Sequence, residues 1–109
     1  QTALDNAGGF DDILRDVIAV TLTEIPELMQ QLEQALEEGR DTEVSRLAHT
    51  IKAAGRTFGV DQLLQHAERI ESLAAAGDLK AVTVTAVELR ETVDGLLHEL
   101  QAKLGQEGE

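Results

Sequence analysis

The chain has 109 residues and a formal charge of −12, from 9 Lys and Arg against 21 Asp and Glu. That length suits one domain with one modest core, and so strong an acidic excess argues against nucleic acid and anionic membrane surfaces, which need a basic footprint. Cysteine is absent, which excludes disulfides and thiolate metal sites, and Phe10 and Phe58 as the sole aromatics leave no platform for base stacking.

No apolar run approaches the ~18 residues of a membrane span, and no signal-peptide pattern opens the chain. The first residue is Gln rather than Met, as in a piece cut from a longer protein. Residues 1–9 lack a clear period and read as a loose lead-in. From Phe10 the spacing becomes helical through Ile13, Leu14, Val17, Ile18 and Thr21. Pro26 interrupts this pattern, because proline lacks an amide proton and crowds the preceding turn. It is equally suited to the first position of a new helix. Two helices, or one kinked helix, satisfy the pattern.

The next stripe is Leu28, Met29, Leu32, Ala35 and Leu36, closed by Gly39. Asp41 is placed to cap the following helix, which carries Val44, Leu47, Ala48, Ile51, Ala54, Gly55 and Phe58 inward and stops at Gly59. A further helix starts at Val60-Asp61 on Val60, Leu63, Leu64, Ala67, Ile70 and Ala74. Gly77-Asp78 repeats the stop and cap. The last and longest helix follows Leu79, Val82, Ala86, Leu89, Val93, Leu96, Leu97, Leu100 and Leu104. Its Val82-Thr83-Val84-Thr85 alternates like a strand, but the surrounding helical period is longer and decides. Residues 105–109 are expected to fray. Each segment is amphipathic and none can bury its stripe alone. The fold expected is all-α: a single-domain antiparallel four-helix bundle with an additional short N-terminal helix over the Phe10 segment.

One helix face stands apart from this packing logic. His49 lies about 160° from the centre of its helix's apolar stripe. Lys52 and Arg56 follow it at plus three and plus seven, on one face. Thr42, Ser45 and Ala53 nearby are small and leave the imidazole little shielded. With a reference pKa of about 6.5, imidazole is largely neutral, and so nucleophilic, at cell pH. Glu71, on the next helix, falls at the edge of that helix's stripe, where a carboxylate needs a partner. A helical wheel leaves open whether the partner is His49. His66 and His98 read as plain surface residues. The three histidines show no metal-ligand spacing, and no glycine-rich phosphate loop is present. The chain is expected to bind no ATP, metal or other cofactor.

The segment Ala48-His49-Thr50-Ile51-Lys52, then Gly59, then Ala67-Glu68-Arg69-Ile70-Glu71, resembles the histidine-containing phosphotransfer (HPt) domain family. The similarity covers roughly Phe10 to Leu100. It implies a four-helix bundle in which Nε2 of His49 takes a phosphoryl group from an aspartyl phosphate of a receiver domain and passes it on. The receiver would belong to a response regulator or hybrid kinase, and Mg²⁺ would come with it. The resemblance also implies that Glu71 bonds Nδ1 of His49. Lys52 would neutralise charge on the transferring group. Ser45, Ala53 and Arg56 would face the partner. The family usually has Gly directly after the lysine, where this chain has Ala53; the added methyl bears on partner choice or rate.

A monomeric phosphoryl carrier in the cytoplasm follows, free-standing or as a domain of a membrane-bound hybrid sensor kinase. Two alternatives stay open. One is the phospho-acceptor domain of a chemotaxis-type histidine kinase, with a separate ATP-binding domain as donor. The other is a helical interaction module without phosphate chemistry.

Overall fold

The computed structural model describes residues 12–108. They form four helices: α1, Asp12–Glu37; α2, Asp41–Phe58; α3, Asp61–Ala75; and α4, Leu79–Gly108. Each packs on its chain neighbours, and α4 closes the ring against α1. Short connections make consecutive helices antiparallel. The body measures 50 × 19 × 18 Å. Its long axis is close to the ~45 Å expected of a 30-residue helix, so α1 and α4 set the length while the shorter α2 and α3 form a hairpin beside them.

Pro26 lies inside α1 and does not divide it. The segment from Ile13 to Thr21 is therefore the first half of α1, not the separate short helix expected there; Phe10 and the lead-in of residues 1–9 lie outside the described residues. The reason is positional. Proline removes one amide from the ladder, leaving the Leu22 carbonyl without it, and Pro26 is exposed to solvent. The buried side of α1, Ile18, Ile25, Met29, Leu32 and Ala35, runs unbroken past it. Ile13, expected to point inward, is exposed. It sits about 140° around the helix from Ile18 at 100° per residue.

Gly39, Gly59 and Gly77 all have positive φ, 75°, 68° and 78°. Without a Cβ they enter the left-handed region freely and reverse the chain. After each, the next amide bonds back to a carbonyl five residues earlier: Arg40 to Ala35, Val60 to Gly55, and Asp78 to Leu73, all at 2.9 Å. The two acids that follow differ. Asp78 comes directly after its glycine and caps α4, its Oδ1 accepting from the Ala81 amide at 3.2 Å. Asp41 comes one residue later. Arg40 occupies the cap position of α2 without a side-chain bond to the helix, its guanidinium pairing with Glu38 instead, and Asp41 accepts from the adjacent Thr42 amide.

The strand-like stretch 82–85 is helical, with the Thr83 and Thr85 hydroxyls donating to the Leu79 and Ala81 carbonyls. α4 continues to Gly108, past the point where fraying was expected. The core is aliphatic. Met29 and Leu32, Val44, Leu47 and Ile51, Leu63 and Ile70, and Val82, Leu89 and Val93 are fully buried, one group from each helix.

Candidate functional site

α2 and α3 lie side by side, joined by the tight turn at Gly59. Their contact is close at Gly55, which is buried. Two turns towards the other end of the hairpin, three side chains meet. The Nδ1 of His49 lies 2.8 Å from Oε2 of Glu71. The ammonium of Lys52 donates to Oε1 of the same carboxylate at 2.6 Å. One α3 carboxylate thus spans two residues of α2 that stand one turn apart.

The burial of the three is graded. The side chains of His49, Glu71 and Lys52 are 66%, 23% and 10% exposed. Lys52 was expected beside His49 on the exposed face, so its burial is a correction. At plus three from His49 its stem lies on the side of α2 that meets α3, and its methylenes are covered there. A buried ammonium needs a charged partner, and Glu71 supplies it. The geometry also resolves how an outward-pointing His49 meets an edge-of-core Glu71. The groove between two packed helices borders the inner and outer faces of both, so residues from either face can meet in it.

These charges set the proton positions. Partial burial works to raise the Glu71 pKa, but the hydrogen bonds and charges of Lys52 and His49 overcome it and hold the carboxyl below its ordinary value. An ionised carboxylate only accepts hydrogen bonds. The proton in the His49–Glu71 bond therefore belongs to Nδ1. In the neutral imidazole this leaves Nε2 with the lone pair, on a side chain mostly open to solvent.

Beside Lys52 and Glu71 is a shallow depression lined also by Ser45, Glu68, Ser72 and Ala75. Ser45 thus lines the same depression as Lys52 and Glu71. Ala53 and Arg56 are exposed on α2, and among the described residues neither is bonded to the triad. Glu68, Ser72 and Ala75 were not singled out from the sequence. Glu68 and Ala75 stand at minus three and plus four from Glu71, a spacing visible in the sequence, while Ser72 is its immediate neighbour. A separate groove between α3 and α4 is lined by His66, Glu88 and Glu91 and shares no residue with the triad. His66, expected at the surface, is half-buried there, its Nδ1 3.9 Å from Glu88. No group of three His, Cys, Asp or Glu among the described residues is arranged to hold a metal.

An exposed imidazole with one nitrogen held by a carboxylate, on a rigid helical hairpin, is an arrangement for accepting an electrophilic group at the other nitrogen. A family model described as Hpt domain matches residues 16–106. The chain belongs to the Hpt domain family. Hpt domains carry phosphoryl groups on histidine in two-component phosphorelays, as carriers rather than catalysts, and interact with receiver domains. The all-helical bundle is in keeping with that family. Comparison with curated proteins and with solved structures gave no match. No helix among the described residues is long and apolar enough to cross a membrane.

Proposed function

We propose that this Hpt domain accepts a phosphoryl group on Nε2 of His49 from an aspartyl phosphate of a receiver domain and passes it to another receiver. The observation that carries this is the Nδ1–Glu71 bond at 2.8 Å on an otherwise exposed imidazole. In the transfer, the Nε2 lone pair forms the N–P bond as the bond from phosphorus to the aspartyl oxygen breaks, releasing a carboxylate. Nδ1 keeps its proton, so positive charge develops on the ring. Glu71 lies against that charge from the start, without reorganisation. Lys52 acts through Glu71: it keeps the carboxylate ionised and fixed in the groove. This differs from direct neutralisation of the phosphoryl group by Lys52, because its ammonium is buried against Glu71.

Ser45, Ala53 and Arg56 form the docking face around His49 in this reading. The Mg²⁺ that supports transfer sits on the receiver, and the domain works as a monomer in the cytoplasm. A phosphorylated receiver with Mg²⁺ is expected to label the domain with an acid-labile, base-stable phosphate. His49→Gln should reduce that label to background; labelling that persists in His49→Gln overturns the assignment. The same carboxylate-held imidazole would also serve an ATP-dependent kinase domain of the chemotaxis type. Presenting both donors side by side separates the two, since a receiver-fed domain labels only from the phosphorylated receiver.

A further inference from the structure

Gly55 stands in the interior of α2, where glycine is a weaker helix former than alanine, and the two residues before it are alanines. A Cβ built there would lie 3.0 Å from Cδ2 of Leu63, 3.1 Å from Cγ of Leu64 and 3.2 Å from the backbone nitrogen of Leu64. The first two neighbours are side-chain atoms and can yield. The third is main chain, and it yields only if α3 moves. The Gly55 carbonyl also accepts the Val60 amide at 2.9 Å, so the same residue anchors the turn that begins α3.

Glu71 is seven residues beyond Leu64. That places it two turns along the same face of α3, about 10 Å further on at 1.5 Å per residue. A displacement of α3 at Leu64 is therefore carried to Glu71. The carboxylate there must reach two atoms of α2 at once, Nδ1 of His49 at 2.8 Å and Nζ of Lys52 at 2.6 Å. A carboxylate that satisfies two fixed partners at these lengths has little room to retreat before one bond passes the ordinary hydrogen-bond range.

We propose that Gly55 is a positioning residue for His49: the missing side chain sets the α2–α3 separation at which one Glu71 carboxylate holds both the His49 Nδ1 proton and the Lys52 ammonium. The inference rests on the role of His49 given above only for its effect on transfer. Its effect on the imidazole tautomer is independent of any partner.

The test uses Gly55→Ala and Gly55→Leu in the full chain. Nitrogen-15 NMR reads the His49 tautomer, and a phosphorylated receiver with Mg²⁺ reads transfer. The Nδ1-protonated fraction is expected to fall in the order Gly, Ala, Leu. Transfer should follow, by about tenfold for Leu, the loss equivalent to one such hydrogen bond. Circular dichroism should show helicity kept, and in Gly55→Ala it should rise slightly because alanine favours helix. A Gly55→Leu protein that keeps helicity, tautomer and transfer overturns the proposal. If Gly55→Leu does not fold, Gly55→Ala decides: an unchanged tautomer overturns the proposal, a reduced Nδ1-protonated fraction supports it. A tautomer that shifts while no receiver labels the wild type would leave the positioning role standing and remove the phosphotransfer reading.

Discussion

Glu33 and Glu71 each tie one helix of the bundle to its neighbour, and they do so to different ends. Glu33 of α1 meets the Arg90 guanidinium of α4 with both carboxylate oxygens, one at 2.7 Å from Nε. The planar fork matches the carboxylate, and neither group is left with an open chemical position. Glu71 of α3 divides its two oxygens between an ammonium and an imidazole of α2. The ammonium is buried and consumed in the bond. The imidazole is not, because its second nitrogen remains outside. A symmetrical tie between helices is architecture. An asymmetrical one, with a buried cation on one side and a half-used imidazole on the other, prepares a nucleophile.

The sharpest way to break this contrast is Glu71→Gln. The amide can still accept from Nδ1, but it carries no charge to offset the developing imidazolium and leaves Lys52 buried without a counter-ion. We expect receiver-to-domain transfer to fall roughly 10- to 100-fold, the loss of one charge-assisted hydrogen bond. Stability should fall by about 1–3 kcal/mol, as for a buried polar group deprived of its partner. Single-turnover transfer and urea unfolding measure the two. Transfer at the wild-type rate would mean that Glu71 belongs with Glu33 as a purely structural tie.

Lys52→Met should have a smaller effect on transfer, because it acts one bond further from the imidazole. The methionine keeps much of the stem's packing and removes the charge. A loss of about threefold to tenfold is expected, half or less of the Glu71→Gln effect in free energy. Loss equal to that of His49→Gln would instead place Lys52 at the transferring group.

The difference between the two ties was only partly visible in the amino-acid pattern. The helices were legible because each carries a long apolar stripe of three-four period, and Gly39, Gly59 and Gly77 mark the reversals. His49 was legible because it lies opposite its stripe. The continuity of α1 through Pro26 was not, since it depends on which side of the helix faces solvent. Nor was the failure of Asp41 to cap, since Arg40 displaces it by one residue. The burial of Lys52 was hidden, and the reach of Glu71 to His49 came from the family resemblance and not from the helical wheel, for a common reason. A wheel describes one helix, and both residues get their environment from the neighbouring one. Glu33 and Arg90 are separated by 57 residues, and no local spacing signals such a pair.

Acid distinguishes the ties next. The Glu71 carboxyl titrates below its ordinary value in the folded chain. A group with a depressed folded pKa adds stability that is fully present above its unfolded value, about 4.3 for Glu. That stability is lost as pH falls through the folded value. The stability gap between wild type and Glu71→Gln should therefore shrink as pH falls below about 4. Chemical denaturation across that pH measures it. A gap that widens below about pH 4 would contradict the assignment of an ionised Glu71 in the folded protein.

The smallest effect is expected at the other tie. The Arg90 and Glu33 side chains are 42% and 39% exposed, so water screens their attraction and competes for their hydrogen bonds. Good bidentate geometry raises such a pair above the ordinary surface ion pair, yet exposed pairs contribute at most about 1 kcal/mol. Arg90 also lies 3.8 Å from Asp94, so Glu33→Gln leaves the guanidinium with a remaining anion nearby. Glu33→Gln should thus lower stability by under about 1 kcal/mol, less in high salt. It should leave transfer to His49 unchanged, since α1 and α4 can relax without moving the α2–α3 groove. Both measurements are needed. A stability loss matching that of Glu71→Gln would show that exposure does not separate the ties, and a loss of transfer would show that the α1–α4 side of the bundle also sets the geometry at His49.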